Sequence, residues 1–117
     1  AHQDDFSTAL AAAWRDAGGC DAVATLATAT FARYVEAAAS QASISYRPLM
    51  LIGLRERSWD CLTLSERSLA HFGVASIAEA AALAAAGPGS RLVVLRRVIG
   101  NITVAAAQSA DAGKRSK

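Results

Sequence analysis

The stretch Ser65–Ala107, SERSLAHFGVASIAEAAALAAAGPGSRLVVLRRVIGNITVAAA, decides the fold. It reads as helix, glycine stop, capped helix, Gly-Pro-Gly turn, apolar strand, basic turn and apolar strand. Thr63-x-x-Glu66 and Ser76-x-x-Glu79 each have the spacing of a capping box, in which a hydroxyl and a carboxylate satisfy open amides at a helix start. Gly73 suits the left-handed position that ends a helix, with Val74 placed for the accompanying apolar contact. Arg91–Leu95 reads as a buried strand, Arg96–Gly100 as a tight connection and Asn101–Ala107 as the last strand. A connection of that length holds no crossover helix, so the final strand pair is predicted antiparallel.

Upstream, Asp4 and Asp5 can cap a helix whose Phe6, Ala9, Leu10, Ala13, Trp14 and Ala17 form one apolar stripe ending before Gly18-Gly19. The run Cys20–Ala27, CDAVATLA, fits a buried strand, and a helix is predicted over Thr30–Ala39. Ile44–Leu49 alternates in strand fashion until Pro48 ends it, whereas Met50–Trp59 is open between helix and loop. The expected architecture is α/β: a three-layer α/β/α domain with a mixed sheet. The chain opens on a helix, and helices on both faces of a sheet normally follow a strand. A first strand is therefore expected to be missing from the chain. Residues 1–108 make one domain and 109–117 a flexible tail.

With 117 residues, 53% of them apolar, the chain can bury a single core. The net charge of +2 comes from the tail, so nothing marks a nucleic-acid binder. Charge is unevenly placed, however. Residues 1–46 hold two arginines against five acids, and residues 47–97 hold seven arginines against four acids. The gradient is compatible with an anionic ligand on the C-terminal half, or with scattered solvated arginines. Cys20 and Cys61 lack metal spacing and read as free thiols, no run is long enough to cross a bilayer, and AHQDDF is no secretory leader. The expected setting is cytoplasmic.

His2 and His71 have no partners at metal-ligand spacing, and no nucleophile elbow, phosphate loop or dinucleotide fingerprint is present. No metal and no cofactor is expected. Gly87-Pro88-Gly89 follows a helix and precedes a strand, the reverse of a phosphate cradle, and is a turn. The candidate ligand-binding residues are two helix starts, Ser65, Glu66 and Arg67, then Ser76 and Glu79, with the basic turn Arg96 and Arg97 and the neighbouring Asn101 and Thr103. Helix starts offer open amides to carboxylates, and arginine adds a bidentate grip. Against this, Ser76 and Glu79 are equally explained by capping one another, and the arginine pair by guarding a sheet edge.

The segments SER, FGVASIAEAAALAAAG, RLVVLRR and GNITVAAA, with the earlier CDAVATLA, make up about a third of the chain. In wording, order and spacing they resemble the CobE family of cobalamin biosynthesis, which is similar to the C-terminal domain of CbiG. Family members begin with a strand leading to a Gly-Cys-Arg-Arg-Gly type loop that this chain lacks. They also often carry charged residues where this chain has Thr28-Ala29-Thr30. The resemblance implies a role in building the corrin ring of vitamin B12, whose intermediates carry acetate and propionate arms on a flat apolar macrocycle. It implies binding of a corrinoid or precorrin intermediate in the aerobic pathway, alone or docked on another enzyme of the pathway. A hydrolase acting on a lactone or acyl group of such an intermediate is the alternative, with Glu79, Glu66 or a residue of the missing loop as acid or base.

Overall fold

The computed structural model describes residues 3–19, 21–99 and 102–110. In chain order the elements are α1 (Gln3–Ala17), β1 (Ala22–Leu26), α2 (Ala32–Gln41), β2 (Ser45–Leu49), α3 (Leu51–Glu56), a 3-10 turn (Ser58–Asp60), α4 (Glu66–Phe72), α5 (Ile77–Ala86), β3 (Arg91–Ile99) and β4 (Ile102–Gln108). The chain is α/β, with strand pairs of both senses. β1 and β2 run parallel through the α2 crossover, Ala22 opposite Ser45 and Leu26 opposite Leu49. β3 and β4 are antiparallel, as the short connection required, with Ile99 opposite Ile102.

Among the described residues the strands hydrogen-bond in two pairs, β1–β2 and β3–β4, rather than in one continuous mixed sheet. The pairs are nevertheless tied together by the same helices. α5 packs against both β1 and β4. On the other side, Val23 of β1 and Ile102 of β4 both meet the cluster of Phe6, Leu10, Ala38, Ala39 and Ile44 supplied by α1, α2 and the start of β2. β1 and β4 are thus held between the same two sets of helices. A second core of Leu26, Leu54, Val74, Ala80 and Ala81 seats α3 and α5 beneath β1.

Local signals account for most boundaries. The α1 stripe buries Phe6, Ala9 and Leu10. Gly73 ends α4 at φ 70°, the left-handed conformation that a side chain disfavours, and Val74 beside it is fully buried. Several expectations are corrected. Pro48 lies inside β2, opposite Thr25, because β2 is an edge strand and its missing N–H costs no ladder bond. Met50–Trp59 resolves into α3 and the 3-10 turn. Thr63 does not cap α4; Ser65 does, its Oγ accepting the Ser68 amide at 3.2 Å.

The largest correction concerns the basic turn. β3 runs on to Ile99, so Arg96 and Arg97 are strand residues and only Gly100 and Asn101 separate the two strands. β3 is also not buried throughout: alternate residues Val93 and Leu95 are exposed. The expectations for His2, Cys20, Asn101 and the end of the tail lie outside the described residues.

Candidate functional site

Glu79 is the centre of the region to which the two helix starts belong. Ser76 caps α5, its Oγ accepting the Glu79 amide at 3.3 Å. The return half of the box is not made. Instead the Glu79 side chain, 0% exposed, turns outward from its own helix. Its Oε1 accepts the amides of Leu62 (2.9 Å) and Thr63 (3.0 Å), and its Oε2 accepts the amide of Arg96 (2.8 Å). A buried carboxylate stands only where donors compensate its lost hydration, and three backbone amides do so here. The same contact blocks the free edge of β3, which would otherwise offer an open amide to other chains.

Further bonds stitch the neighbourhood. Thr63 Oγ1 accepts Arg96 Nε at 3.1 Å. The Ser65 amide donates to the Ala75 carbonyl at 2.7 Å, the Ala75 amide to Ser58 Oγ at 2.9 Å, and Ser68 Oγ to the Val74 carbonyl at 2.7 Å. Cys61 leans on the Ser76 carbonyl at 3.5 Å. Burial pushes its thiol pKa up, and the nearby carboxylates of Glu79 and Asp60 push the same way; the Ser76 bond and Arg57 oppose them.

Of the nine candidate residues, Ser65, Ser76, Glu79 and Arg96 are therefore brought together. Glu66 and Arg67 stand exposed on the first turn of α4. Arg97 is not with them. Its guanidinium pairs with Asp16 of α1, whereas the Arg96 side chain bonds Thr63, ahead of α4. Thr103 lies exposed on β4 opposite Val98, and Asn101 falls outside the described residues.

The arginine excess of the C-terminal half is spent largely inside the molecule. Arg47 donates to the Ala85 carbonyl at 2.6 Å and Arg55 to the Phe72 carbonyl at 2.9 Å. Arg57 donates to the carbonyls of Leu83, Gly87 and Ser90 and pairs with Asp60 at 2.8 Å. These guanidinium groups satisfy open carbonyls at the ends of α4 and α5, where the helix dipole is negative. The charge gradient by itself is thus no measure of an anion site.

What the sequence reading missed is apolar. Leu62 (67% exposed) and Leu64 (59%) flank Thr63, and Trp59 (95%) stands just before them. Exposed leucines look like any others in a sequence; their partners Glu79 and Arg96 are remote in the chain. Two hollows lie elsewhere: one of about 510 Å³ at the carboxyl ends of β1 and β2, and one of about 370 Å³ between α1 and α2. None of the candidate residues lines either. Among the described residues no three His, Cys, Asp or Glu side chains gather as a metal would require, and no single helix is long and apolar enough to cross a membrane.

Comparison with known proteins agrees with this fold. The family "Cobalamin synthesis G C-terminus" matches residues 1–107. The crystal structure of the cobalamin biosynthesis protein chiG from Agrobacterium tumefaciens is similar, with 38% identity and a TM-score of 0.74 over 95% of this chain and 91% of that one. CobE, described as a protein from the cobalamin (vitamin B12) biosynthetic pathway, shares the fold at 23% identity and a TM-score of 0.79, over 92% of this chain and 81% of its own. No curated protein sequence matches.

Proposed function

The chain belongs to the cobalamin synthesis G C-terminal family, and from that membership we infer that it binds a polycarboxylate corrinoid or precorrin intermediate of vitamin B12 assembly in the aerobic pathway. One observation carries this reading: Trp59, Leu62 and Leu64 are exposed in one short segment, which we read as an apolar ledge, with Thr63 bonded to Arg96 and Arg67 three residues beyond Leu64. A flat apolar macrocycle with acid arms needs such a combination, apolar contact for the ring and guanidinium groups for the carboxylates. Among the described residues the Arg96 side chain bonds only Thr63, through Nε, and its outer nitrogens are offered to the ligand.

Glu79 then serves as a positioning residue. It fixes the ledge and the strand against each other and does not touch the ligand. Its oxygens are taken by three amides, which favours binding over the hydrolase alternative, since a general acid or base must reach a reacting proton.

The test is a titration of the protein with hydrogenobyrinic acid followed by visible absorbance. A saturable change is expected, with a Kd of about 10–50 µM or tighter. Leu62→Ser and Arg67→Ala should each weaken it by roughly tenfold, the loss expected of one apolar anchor or one charged contact. Absence of any saturable change up to about 100 µM would remove the binding reading and leave docking on another pathway enzyme.

A further inference from the structure

The hollow of about 510 Å³ at the carboxyl ends of β1 and β2 belongs to no role described so far. Three separate elements build it: the loop after β1, the first turns of α2, and β2. In α/β sheets the region beyond the carboxyl ends of parallel strands is where small ligands sit, because loops diverge there and helix starts converge. No large side chain fills this one. Ala27, Ala29, Ala32 and Pro48 make an apolar floor, and Tyr46 is a fixed wall, its hydroxyl bonded to Thr25 Oγ1 at 2.5 Å.

Two residues of opposite charge, Arg33 and Glu36, line this space without neutralising each other. Arg33 and Glu36 are three residues apart on α2, a spacing at which an ion pair commonly forms. No such pair is made. The Arg33 guanidinium lies instead 5.0 Å from the centre of the Tyr34 ring, with Nη2 3.2 Å from the Tyr34 hydroxyl. The cation–π contact and the hydrogen bond hold the guanidinium, and no carboxylate among the described residues pairs with it. Glu36 and the Thr30 hydroxyl likewise line the hollow.

We propose that this hollow binds a small zwitterion of the α-amino acid class, its carboxylate on Arg33 and its ammonium group on Glu36. The charge pattern selects the class. A simple anion is drawn by Arg33 and repelled by Glu36, and a simple cation meets the reverse; only a molecule carrying both signs gains from both. The volume exceeds that of a small amino acid, so a side chain can extend over the alanines and Pro48.

The proposal is tested by titrating the isotopically labelled protein at low salt with alanine, and separately with acetate and with methylammonium, following backbone amide resonances. Alanine should shift residues 27–36 saturably at millimolar concentration. Each half-ligand should bind at least about fivefold more weakly, since it makes one charged contact and meets one repulsion. Arg33→Gln and Glu36→Gln, both at exposed positions and compatible with folding, should each weaken alanine binding about five- to tenfold. Acetate binding as tightly as alanine, unchanged affinity in Glu36→Gln, or no saturable shift with alanine would each overturn it.

Discussion

At the scale of single residues, Glu79 separates two accounts of one pattern. If it were only the partner of a capping box, its removal would cost about 1 kcal/mol, as a lost cap does. The structure instead has its fully buried side chain holding the amides of Leu62, Thr63 and Arg96. Glu79→Ala orphans three part-buried donors and is expected to lower unfolding stability by roughly 2–4 kcal/mol, against about 1 kcal/mol for Ser76→Ala. Denaturant unfolding of the two variants decides between them, and equal losses would reduce Glu79 to a cap. Cys61 gives a prediction in pH. Its thiol pKa is raised on folding, chiefly by burial, so the folded state favours the protonated form. That contribution is complete below the thiol's unfolded pKa and is lost as pH rises through the raised folded value. In a Cys20→Ser background, stability should therefore fall in mildly alkaline solution, and alkylation of Cys61 should lag behind that of a free thiol. A Cys61→Ser variant that declines equally would assign the fall to another group.

At the scale of elements, what could be read from the sequence was whatever local chemistry decides. Gly73 needs a left-handed residue, Ser76 sits at a cap, and a connection too short for a helix forces an antiparallel pair. What could not be read was decided by distant partners. The carboxylate of Glu79 finds amides 16 and 17 residues away, and Thr63 prefers the Arg96 side chain, 33 residues on, to its own helix. Arg96 and Arg97 mimic a turn because two adjacent charges interrupt an apolar run; on the strand they simply bond different partners. Pro48 likewise looks like a strand end, and is tolerated within β2 because one side of that strand has no neighbour to serve. The split of the strands into two pairs has a measurable consequence. Ala27 donates its amide to the Leu49 carbonyl across to β2 at 2.8 Å. By alternation the amides of Val23 and Thr25 also point to β2, and those of Ala24 and Leu26 point toward the β4 side. Hydrogen exchange of Ala24 and Leu26 should run at least about tenfold faster than that of Val23 and Thr25, although Leu26 and Thr25 are equally buried. Equal protection would mean that the edge of β1 facing β4 is satisfied.

At the scale of the whole molecule, the two adjacent arginines tie β3 to different parts of the fold. Arg97 joins the hairpin to α1 through Asp16, 81 residues earlier in the chain, yet both partners are substantially solvated. Exposed pairs contribute little because water and salt screen them, so a double-mutant cycle on Asp16 and Arg97 should give a coupling of about 1 kcal/mol or less, shrinking at high salt. Arg96 faces the ledge of Leu62 and Leu64, where its side chain meets Thr63 and its amide meets Glu79. Because the amide belongs to the backbone, Arg96→Ala keeps the Glu79 contact and removes only the guanidinium. The sequence treats the two as one basic pair; the fold makes them independent. Titration with hydrogenobyrinic acid should then find binding weakened roughly tenfold by Arg96→Ala, more at low salt than at high, and unaltered by Arg97→Ala. Equal weakening by both substitutions would mean that the ligand reaches the α1 side as well, and weakening by Arg97→Ala alone would move the corrinoid site there.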